Sequence, residues 1–252
     1  MIQSSRWVVL LVVLGLPTIA WSQADWKACE APHDGLLKAG PLDYHVLEPP
    51  NVRPETPVVV MVHGLGHDKD GFEGFARGFQ LPYRLVLPNA PRRYKKGFSW
   101  YRVRCDGSVA DVKDSTNRLL ALFRVLKKRW PRAGSPYVLG FSQGGVMGMS
   151  LAARHPTQVA GVVALSGYLV PLDLHIRKRK GPTPPLWIAH GRKDSVVRFH
   201  EGESAAKRFE SAGYEVTFVP HARYHAVPPP VVKRAGEWIK ARVLKRKGAF
   251  AH

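Results

Sequence analysis

Five short apolar runs constrain the fold of this chain more than any other feature of its sequence. They lie at Pro57–Val62, Arg84–Leu87, Tyr137–Phe141, Val159–Leu165 and Leu186–Ala189. Apolar residues fill successive positions rather than alternate ones, so we expect strands covered on both faces, as in a parallel sheet. A sixth run, Tyr214–Val219, partly alternates and is expected nearer a sheet edge. A further strand is predicted at Tyr44–Leu47.

Helical periodicity separates these runs. Val112, Leu119, Phe123, Leu126 and Trp130 recur at helical spacing, and helices are also predicted at Val146–Arg154, Glu201–Ser211 and Val231–Val243. Strands that alternate with helices indicate an α/β fold, with a mostly parallel sheet flanked by helices. The basic, proline-bearing segment Pro171–Pro185 is expected to be a surface excursion.

A Gly-x-Ser-x-Gly motif follows the third apolar run. Residues 140–145 are Gly-Phe-Ser-Gln-Gly-Gly, between a predicted strand and a predicted helix. Glycines at 140 and 144 allow a sharp strand-to-helix turn that holds the Ser142 hydroxyl in the open. The alternative is a glycine-rich turn with a solvated serine. The context favours Ser142 as the nucleophile of an acyl-transfer reaction.

A serine nucleophile needs a base and a carboxylate that orients the base. Asp194 follows the fifth run, and His225 lies between the last predicted strand and the last predicted helix. The order Ser, Asp, His suits a parallel sheet in which catalytic groups follow strands. Asp173 and Glu201 are the alternative acids, and His221 is the alternative base. Asp194 could instead cap a turn.

Two backbone N–H groups are candidates for an oxyanion hole, which needs paired donors. One is the N–H of Gln143, at the predicted helix start. The other is the N–H of Leu65, in the sequence His63-Gly64-Leu65-Gly66 after the first run. The alternative for that loop is an ordinary glycine turn. His63 and His190 are interpreted as structural polar residues at strand ends.

The first 24 residues have the pattern of a secretory signal peptide. One cation, Arg6, precedes the apolar run 7–16, and Ser22-Gln23-Ala24 offers small residues at a cleavage site. The alternative, a membrane anchor, is disfavoured because the apolar stretch is short and Pro17 interrupts it. We therefore predict export to the periplasm or the medium, a domain at 25–244 and a basic tail at 245–252.

The chain has two cysteines, Cys29 and Cys105. In an oxidising compartment such a pair can form a disulfide. Two buried free thiols are the alternative, and neither cysteine has the surroundings of a nucleophile.

The chain is strongly basic, with 38 Lys and Arg against 19 Asp and Glu and a net charge of +19. Cations cluster at 92–96, 127–129, 177–180 and 245–247. Such a surface favours anionic partners, which for an exported protein are an anionic membrane surface of phospholipid headgroups, lipopolysaccharide or acidic polymers, whereas nucleic acid is not expected. The alternative is an evenly solvated surface. The sequence leaves the oligomeric state open.

Taken together, these motifs resemble the phospholipase/carboxylesterase family of α/β-hydrolases, which includes the acyl-protein thioesterases. The resemblance covers roughly residues 56–240, and Phe98-Ser99-Trp100-Tyr101 is similar to the family's aromatic stretch beside the acyl pocket. It implies an α/β-hydrolase fold and hydrolysis of carboxylic esters or thioesters through an acyl-enzyme, with no cofactor and no metal. It also implies Ser142, Asp194 and His225 as catalytic residues and Leu65 and Gln143 as oxyanion donors. Trp100 and Tyr101 are expected at the substrate, with ordinary packing aromatics as the alternative.

We therefore predict an exported serine hydrolase that acts on a small acyl ester or a lipid-like substrate. Two alternatives remain open. One is a peptidase or polyester depolymerase that uses the same three residues. The other is a non-catalytic protein that binds anionic surfaces through its basic clusters.

Overall fold

A computed structural model describes residues 42–103, 108–178 and 181–248. Its main sheet has seven strands in the order β1-β3-β2-β6-β7-β8-β9. These strands are β1 (Tyr44–Leu47), β2 (Val58–Val62), β3 (Arg84–Pro88), β6 (Tyr137–Phe141), β7 (Gly161–Leu165), β8 (Leu186–Gly191) and β9 (Val216–His221). Only β1, at one edge of this sheet, pairs antiparallel with its neighbour; the other pairs are parallel. The predicted α/β-hydrolase architecture is confirmed.

Helices cover both faces of the sheet. On one face lie α2 (Ser108–Arg129), α3 (Gln143–Arg154) and α4 (Phe199–Ser211); on the other lie α1 (Glu73–Gly78) and α5 (Pro229–Gly248). Side chains of a strand point alternately to the two faces. In β2, for example, Val58, Val60 and Val62 join one core, whereas Val59 and Met61 join the other. All five β2 residues are buried, which is why the run lacks polar alternation.

The structure adds elements that the sequence did not predict. A two-stranded hairpin is formed by β4 (Arg92–Tyr94) and β5 (Gly97–Ser99), and α1 is a helix of six residues. Helix α3 begins at Gln143, three residues before its predicted start. Helix α5 continues through residue 245 to Gly248, past the predicted boundary at 244, because Leu244 and Lys245 are good helix formers.

Some sequence predictions lie outside the described residues. They are the signal peptide at 1–24, the pairing of Cys29 with Cys105, and part of the 177–180 cation cluster. Within the described ranges, no helix combines the length and the apolar character that a membrane crossing requires.

The carboxyl ends of the six parallel strands lie at one edge of the sheet, which is here called the carboxyl edge. The loops 63–72, 89–103, 166–185, 192–198 and 222–228 all leave from this edge. In open α/β sheets, ligands bind beyond this edge. The fold therefore brings together every site residue that the sequence predicted.

Candidate active site

Ser142 occupies a strained turn between β6 and α3. Its backbone has φ 55° and ψ −116°, a conformation that side-chain-bearing residues rarely adopt. The Ser142 N–H donates to the Leu165 carbonyl of the neighbouring strand at 2.8 Å, which holds the turn in place. The Ser142 side chain is only partly buried, as the sequence predicted for an exposed hydroxyl.

Two glycines make this turn sterically feasible. A Cβ at Gly140 would lie 2.1 Å from the Gly144 carbonyl oxygen, and a Cβ at Gly144 would lie 1.9 Å from the Val62 carbonyl oxygen. Both distances are far below van der Waals contact. The glycine spacing of the motif therefore reflects main-chain crowding around Ser142.

Asp194 and His225 meet directly, although 31 positions separate them in the chain. His225 Nδ1 lies 2.8 Å from Asp194 Oδ2, and both residues are buried. The other carboxylate oxygen, Oδ1, accepts the N–H groups of Val196 and Val197 at 3.0 and 2.9 Å. The backbone of its own loop therefore holds Oδ1, and this leaves Oδ2 facing the His225 imidazole.

The pKa of Asp194 lies well below its usual range. Burial alone would raise this pKa, but hydrogen bonds from His190 and His225, the positive charge of a protonated His225 and the Val197 N–H together outweigh it. Asp194 is thus an anion at neutral pH. An anion next to Nδ1 fixes the imidazole tautomer in which Nε2 carries the free lone pair.

The alternative residues occupy other surroundings. His221 receives the Arg223 N–H at 3.4 Å on Nδ1. Asp173 is buried on a short turn after β7, and Glu201 pairs with His200 at 3.4 Å on helix α4. Of the two candidate bases, His221 at the end of β9 and His225 in the loop after it, His225 is the one that bonds to Asp194.

His225 also packs beside the nucleophile turn. Its ring centroid lies 4.9 Å from that of Phe141, the residue that precedes Ser142. The hydrogen bonds among the described residues join His225 to Asp194 and do not extend to the Ser142 hydroxyl. Such bonds are often long before substrate binds. The structure therefore gathers the three predicted residues at one edge and directly connects two of them.

The loop that carries Leu65 lies against Ser142. A Cβ at Gly64 would come 3.4 Å from the Ser142 Cβ. The loop is tied to the β4–β5 hairpin, since the Gly66 N–H donates to the Phe98 carbonyl at 2.8 Å and the Phe98 N–H donates to the His67 carbonyl at 2.9 Å. The Gln143 N–H lies in the first turn of α3, where backbone donors have no partner within the helix.

His63 supports this loop as a neutral residue. Its Nδ1 lies 2.7 Å from the Gly64 carbonyl, and its Nε2 accepts the Ala90 N–H at 3.1 Å. Burial lowers the pKa of His63 to about 4, although the Gly64 hydrogen bond opposes that shift. The interpretation of His63 as a structural residue agrees with these contacts.

Trp100 and Tyr101 are fully buried, with 0% and 1% of their surfaces exposed. The Trp100 indole N–H donates to the His63 carbonyl at 3.0 Å, and the Tyr101 hydroxyl lies 3.0 Å from that of Tyr168. These contacts tie Trp100 to the start of the Leu65 loop and Tyr101 to the loop after β7. Their role at the acyl group stays a prediction.

The sequence did not indicate the role of the Gln143 side chain. Its Oε1 accepts the Trp100 N–H at 2.9 Å, and its Nε2 donates to the Tyr101 carbonyl at 2.8 Å. The residue after the nucleophile therefore fastens the aromatic stretch to α3. No sequence motif indicates such a long-range amide contact. Among the described residues, no cluster of three His, Cys, Asp or Glu could hold a metal ion.

Comparison with known proteins identifies the family. The model of the phospholipase/carboxylesterase family matches residues 43–242. This chain belongs to that family. Membership makes it a carboxylic ester hydrolase, in agreement with the sequence prediction of ester or thioester hydrolysis.

Individual relatives are more distant. An acyl-protein thioesterase 1 from Yarrowia lipolytica is 29% identical over 180 residues, which cover 64% of this chain and 79% of the relative. A probable inactive carboxylesterase from Oryza sativa subsp. japonica is 25% identical over 226 residues, or 80% of this chain and 91% of the relative. The crystal structure of a carboxylesterase from Mesorhizobium loti superposes with a TM-score of 0.69 at 19% identity, covering 83% and 99% of the two chains.

Proposed function

We propose that this protein is an exported serine hydrolase that cleaves carboxylic esters or thioesters through Ser142, His225 and Asp194. The observation that carries the proposal is the 2.8 Å contact between a buried imidazole and a buried carboxylate, at the same sheet edge as a strained serine. Burying an ionised carboxylate costs free energy unless its charge is paired, and Asp194 is paired with His225. The family supplies the reaction class, and these residues supply its chemistry.

In the proposed reaction, His225 Nε2 takes the Ser142 proton as Oγ attacks the acyl carbonyl. The resulting oxyanion accepts the N–H groups of Leu65 and Gln143, and the positive end of α3 adds to their effect. Asp194 stabilises the imidazolium. His225 then protonates the leaving alcohol or thiol, and the acyl-enzyme forms.

Deacylation repeats these steps with water as the nucleophile. His225 removes a proton from water, the hydroxide attacks the Ser142 ester, and Ser142 regains its proton as the carboxylic acid leaves. Trp100, which bonds to the His63 carbonyl before the Leu65 loop, and its neighbour Tyr101 are proposed to border the acyl group. Their dense packing gives that border a fixed shape.

A direct assay tests the nucleophile. Hydrolysis of p-nitrophenyl butyrate should fall by at least about 10⁴-fold in Ser142→Ala. Ser211→Ala is the matched control, because Ser211 is exposed at the far end of α4 and should leave the rate unchanged. Turnover that survives in Ser142→Ala would reject the proposal.

The rival reactions use the same three residues and differ in the substrate. A panel of p-nitrophenyl esters, acyl thioesters, peptide amides and a soluble polyester oligomer separates them. We expect esters and thioesters to be hydrolysed with higher kcat/KM than peptide amides, because amines are poorer leaving groups. Preferential cleavage of a peptide would replace the esterase by a peptidase.

We further propose that the enzyme works against an anionic membrane surface. Eight exposed cations on the carboxyl-edge loops have no carboxylate within ion-pair distance in the described part of the chain: Arg93, Lys95, Lys96, Arg177, Lys178, Arg192, Lys193 and Arg223. Each cation near an anionic bilayer strengthens binding by about fivefold. Tyr224, which is 62% exposed, lies next to Arg223 and offers an interfacial aromatic ring.

Vesicle sedimentation tests this surface. Binding to vesicles of phosphatidylcholine with phosphatidylglycerol should weaken by about 100-fold when Arg192, Lys193 and Arg223 are all changed to Gln. The matched control changes Lys127, Lys128 and Arg132 to Gln, which removes the same charge from exposed positions at the opposite edge of the sheet. Equal losses in the two variants would show that total charge, rather than this face, governs binding and would favour the evenly solvated surface.

The export part of the proposal has its own measurement. We expect the mature protein to begin at Asp25 and to appear in the periplasmic or extracellular fraction of the host. Mass spectrometry of the purified protein gives its first residue. Protein that begins at Met1 and stays in the cytoplasmic fraction would contradict the proposed export but would not affect the proposed esterase activity.

A further inference from the structure

His190 makes a second approach to the carboxylate that contacts His225. Its Nε2 lies 3.4 Å from Asp194 Oδ2, and the side chains of both residues are 0% exposed. Asp194 therefore lies between two imidazoles, one after β9 and one at the end of β8. The proposed reaction uses only His225.

The hydrogen bonds of His190 fix its tautomer. Nε2 lies 2.8 Å from the Val197 carbonyl, which can only accept, so Nε2 carries the hydrogen and donates it. Val197 in turn donates its N–H to Asp194 Oδ1 at 2.9 Å. His190, Val197 and Asp194 are thus joined in a ring of contacts. The imidazole binds the Val197 carbonyl, the Val197 N–H binds the carboxylate, and the carboxylate lies beside the imidazole.

The other nitrogen of His190 has no partner among the described residues. Nδ1 is buried and makes no hydrogen bond to the described residues. A buried acceptor without a donor costs stability, and an apolar side chain of similar volume would avoid that cost. Packing alone therefore does not account for an imidazole at this position, whereas the Nε2 donor does.

The ring is also held in place by its neighbours. It meets the Phe199 ring edge-on, with centroids 6.2 Å apart at 85°. A Cβ at Gly202 of α4 would lie 2.2 Å from His190 Nδ1, so only glycine lets the helix backbone come this close. The orientation of Nε2 towards Val197 and Asp194 is thereby fixed from two sides.

We propose that His190 is a positioning residue that sets the orientation and the basicity of the Asp194–His225 pair. Its N–H holds the loop 194–197 so that Oδ1 is occupied by backbone donors and Oδ2 faces His225. The same N–H competes weakly for Oδ2 and so limits how strongly Asp194 stabilises protonated His225. This inference rests on the proposed function, since it acts through the base of that reaction.

Other ionisable groups surround this pair. His221 on β9 has a lowered pKa because of burial, with a smaller effect of His190, while Asp194 opposes the shift. On α4, His200 and Glu201 pair with each other, and the His200 side chain is 59% exposed. Any change in the pH profile must therefore be compared with that of His221→Gln, in which His190 and Asp194 are retained.

Two substitutions of His190 separate donor position from side-chain size. His190→Gln places an amide nitrogen where Nε2 lies, so that it can reach the Val197 carbonyl. His190→Asn places it where Nδ1 lies, which is too far from Val197. With p-nitrophenyl butyrate we expect kcat of the Gln variant within about threefold of the native value. We expect kcat of the Asn variant to fall by about 10- to 100-fold, with KM little changed.

The pH profile supplies a readout that a merely structural role would not move. The acidic limb of kcat/KM reports the pKa of the free base, which is His225 in the proposed reaction. In His190→Asn, Oδ2 loses its competing donor, so the limb should move to higher pH; in His190→Gln and His221→Gln it should stay in place. Gly202→Ala, which forces the ring to move without changing it, should reproduce the lower kcat.

The outcomes distinguish the inference from the proposed function. If Ser142→Ala and Asp194→Asn abolish turnover while folded His190→Asn keeps the native kcat and pH limb, the inference is overturned and the proposed function stands. A lower melting temperature in His190→Asn with native kcat per folded enzyme overturns it in the same way. If Ser142→Ala retains turnover, the proposed function fails whatever His190 does.

Discussion

Two His-Gly pairs end strands at the carboxyl edge, and their surroundings differ. His63-Gly64 follows from β2 and His190-Gly191 ends β8. His63 bonds with both ring nitrogens to backbone groups, those of Gly64 and Ala90. His190 bonds with one nitrogen, beside a carboxylate. The same dipeptide thus stabilises a backbone loop in one place and faces an ionised acid in the other.

The comparison shows that proton chemistry depends on the neighbours of an imidazole rather than on the imidazole itself. Burial keeps His63 neutral and lowers its pKa to about 4, because it outweighs the Gly64 hydrogen bond and the smaller effect of the Asp68 charge. On the β8 side, Asp194 is an anion shared by His190 and His225. The β8 side is here His190 with its neighbour Asp194, and the β2 side is His63 with the polar side chains of the loop 63–72. We therefore expect substitutions on the β8 side to change the reaction and substitutions of these β2-side residues to change stability.

The largest expected effect is that of Asp194→Asn. An amide cannot hold the imidazole in the required tautomer, so kcat for p-nitrophenyl butyrate should fall by about 10⁴-fold. Asp68→Asn, on the β2 side, is the matched control, since its Oδ1 accepts the Gly71 N–H and an amide oxygen can do the same. Similar kcat values for Asp194→Asn and Asp68→Asn would show that the β8 side is no more important for the reaction than the β2 side.

The next effect is a difference in pH dependence. The pKa of His63 is lower in the folded protein than in the unfolded chain, so the unfolded chain binds the extra proton first and stability falls as pH drops from 6.5 towards 4. The loss attributable to His63 should be about 3 kcal/mol over this window. The pKa of Asp194 is also lowered, so Asp194 too stabilises the folded state less as pH falls, but this loss begins only below its unfolded pKa of about 4 and therefore lies outside the His63 window.

Urea unfolding at several pH values measures this window. The free energy of unfolding of the native chain should fall relative to that of His63→Gln between pH 6.5 and 4, because the variant lacks the titrating ring. Parallel curves would mean that His63 does not titrate as its surroundings indicate.

A smaller effect is expected at the link between the loop after β3 and α3. Gln143→Met keeps the size of the side chain but leaves the Trp100 N–H and the Tyr101 carbonyl without their partners. We expect a loss of about 1–3 kcal/mol in the free energy of unfolding. Gln158→Met, at an exposed position, should change it little. An unchanged free energy of unfolding in Gln143→Met would show that the bonds of this amide to residues 100 and 101 do not stabilise the protein.

The smallest effect calibrates the others. Glu215 and Arg242 form a bidentate ion pair at the β9 edge, away from both His-Gly pairs, and the Glu215 side chain is 62% exposed. Glu215→Gln should cost no more than about 1 kcal/mol, since exposed pairs are screened by water and salt. A larger loss, seen as a shift of the urea midpoint, would mean that surface charge contributes more in this chain than the comparison assumes.

The sequence predicted the parts of the fold that repeat regularly. The five apolar runs correspond to β2, β3, β6, β7 and β8, and the predicted run Tyr214–Val219 overlaps the edge strand β9, which begins and ends two residues later. Burial on both faces left a pattern that a linear sequence can display. Strands β4 and β5, with three residues each, and the six-residue α1 show no such periodicity, because tertiary contacts rather than local preference form them.

The candidate site also has features that the sequence predicted and features that it did not. The glycine motif and the order Ser142, Asp194, His225 were visible, because main-chain crowding and sheet topology restrict both. The side-chain bonds of Gln143 to the 100–101 backbone and the approach of His190 to Asp194 were not. The Gln143 bonds join segments that follow different strands, and the His190 contact depends on how the loop after β8 turns back on the strand end, so no local pattern reports either distance.

The crowding at Gly144 has a consequence for protein engineering. Its α-carbon lies so close to the Val62 carbonyl that any side chain there would push β2 and α3 apart. A mutant library that varies this position would consist mostly of misfolded members. Libraries for new substrates are better placed in the exposed parts of the loops after β7 and β9, where Arg177, Lys178 and Tyr224 face solvent.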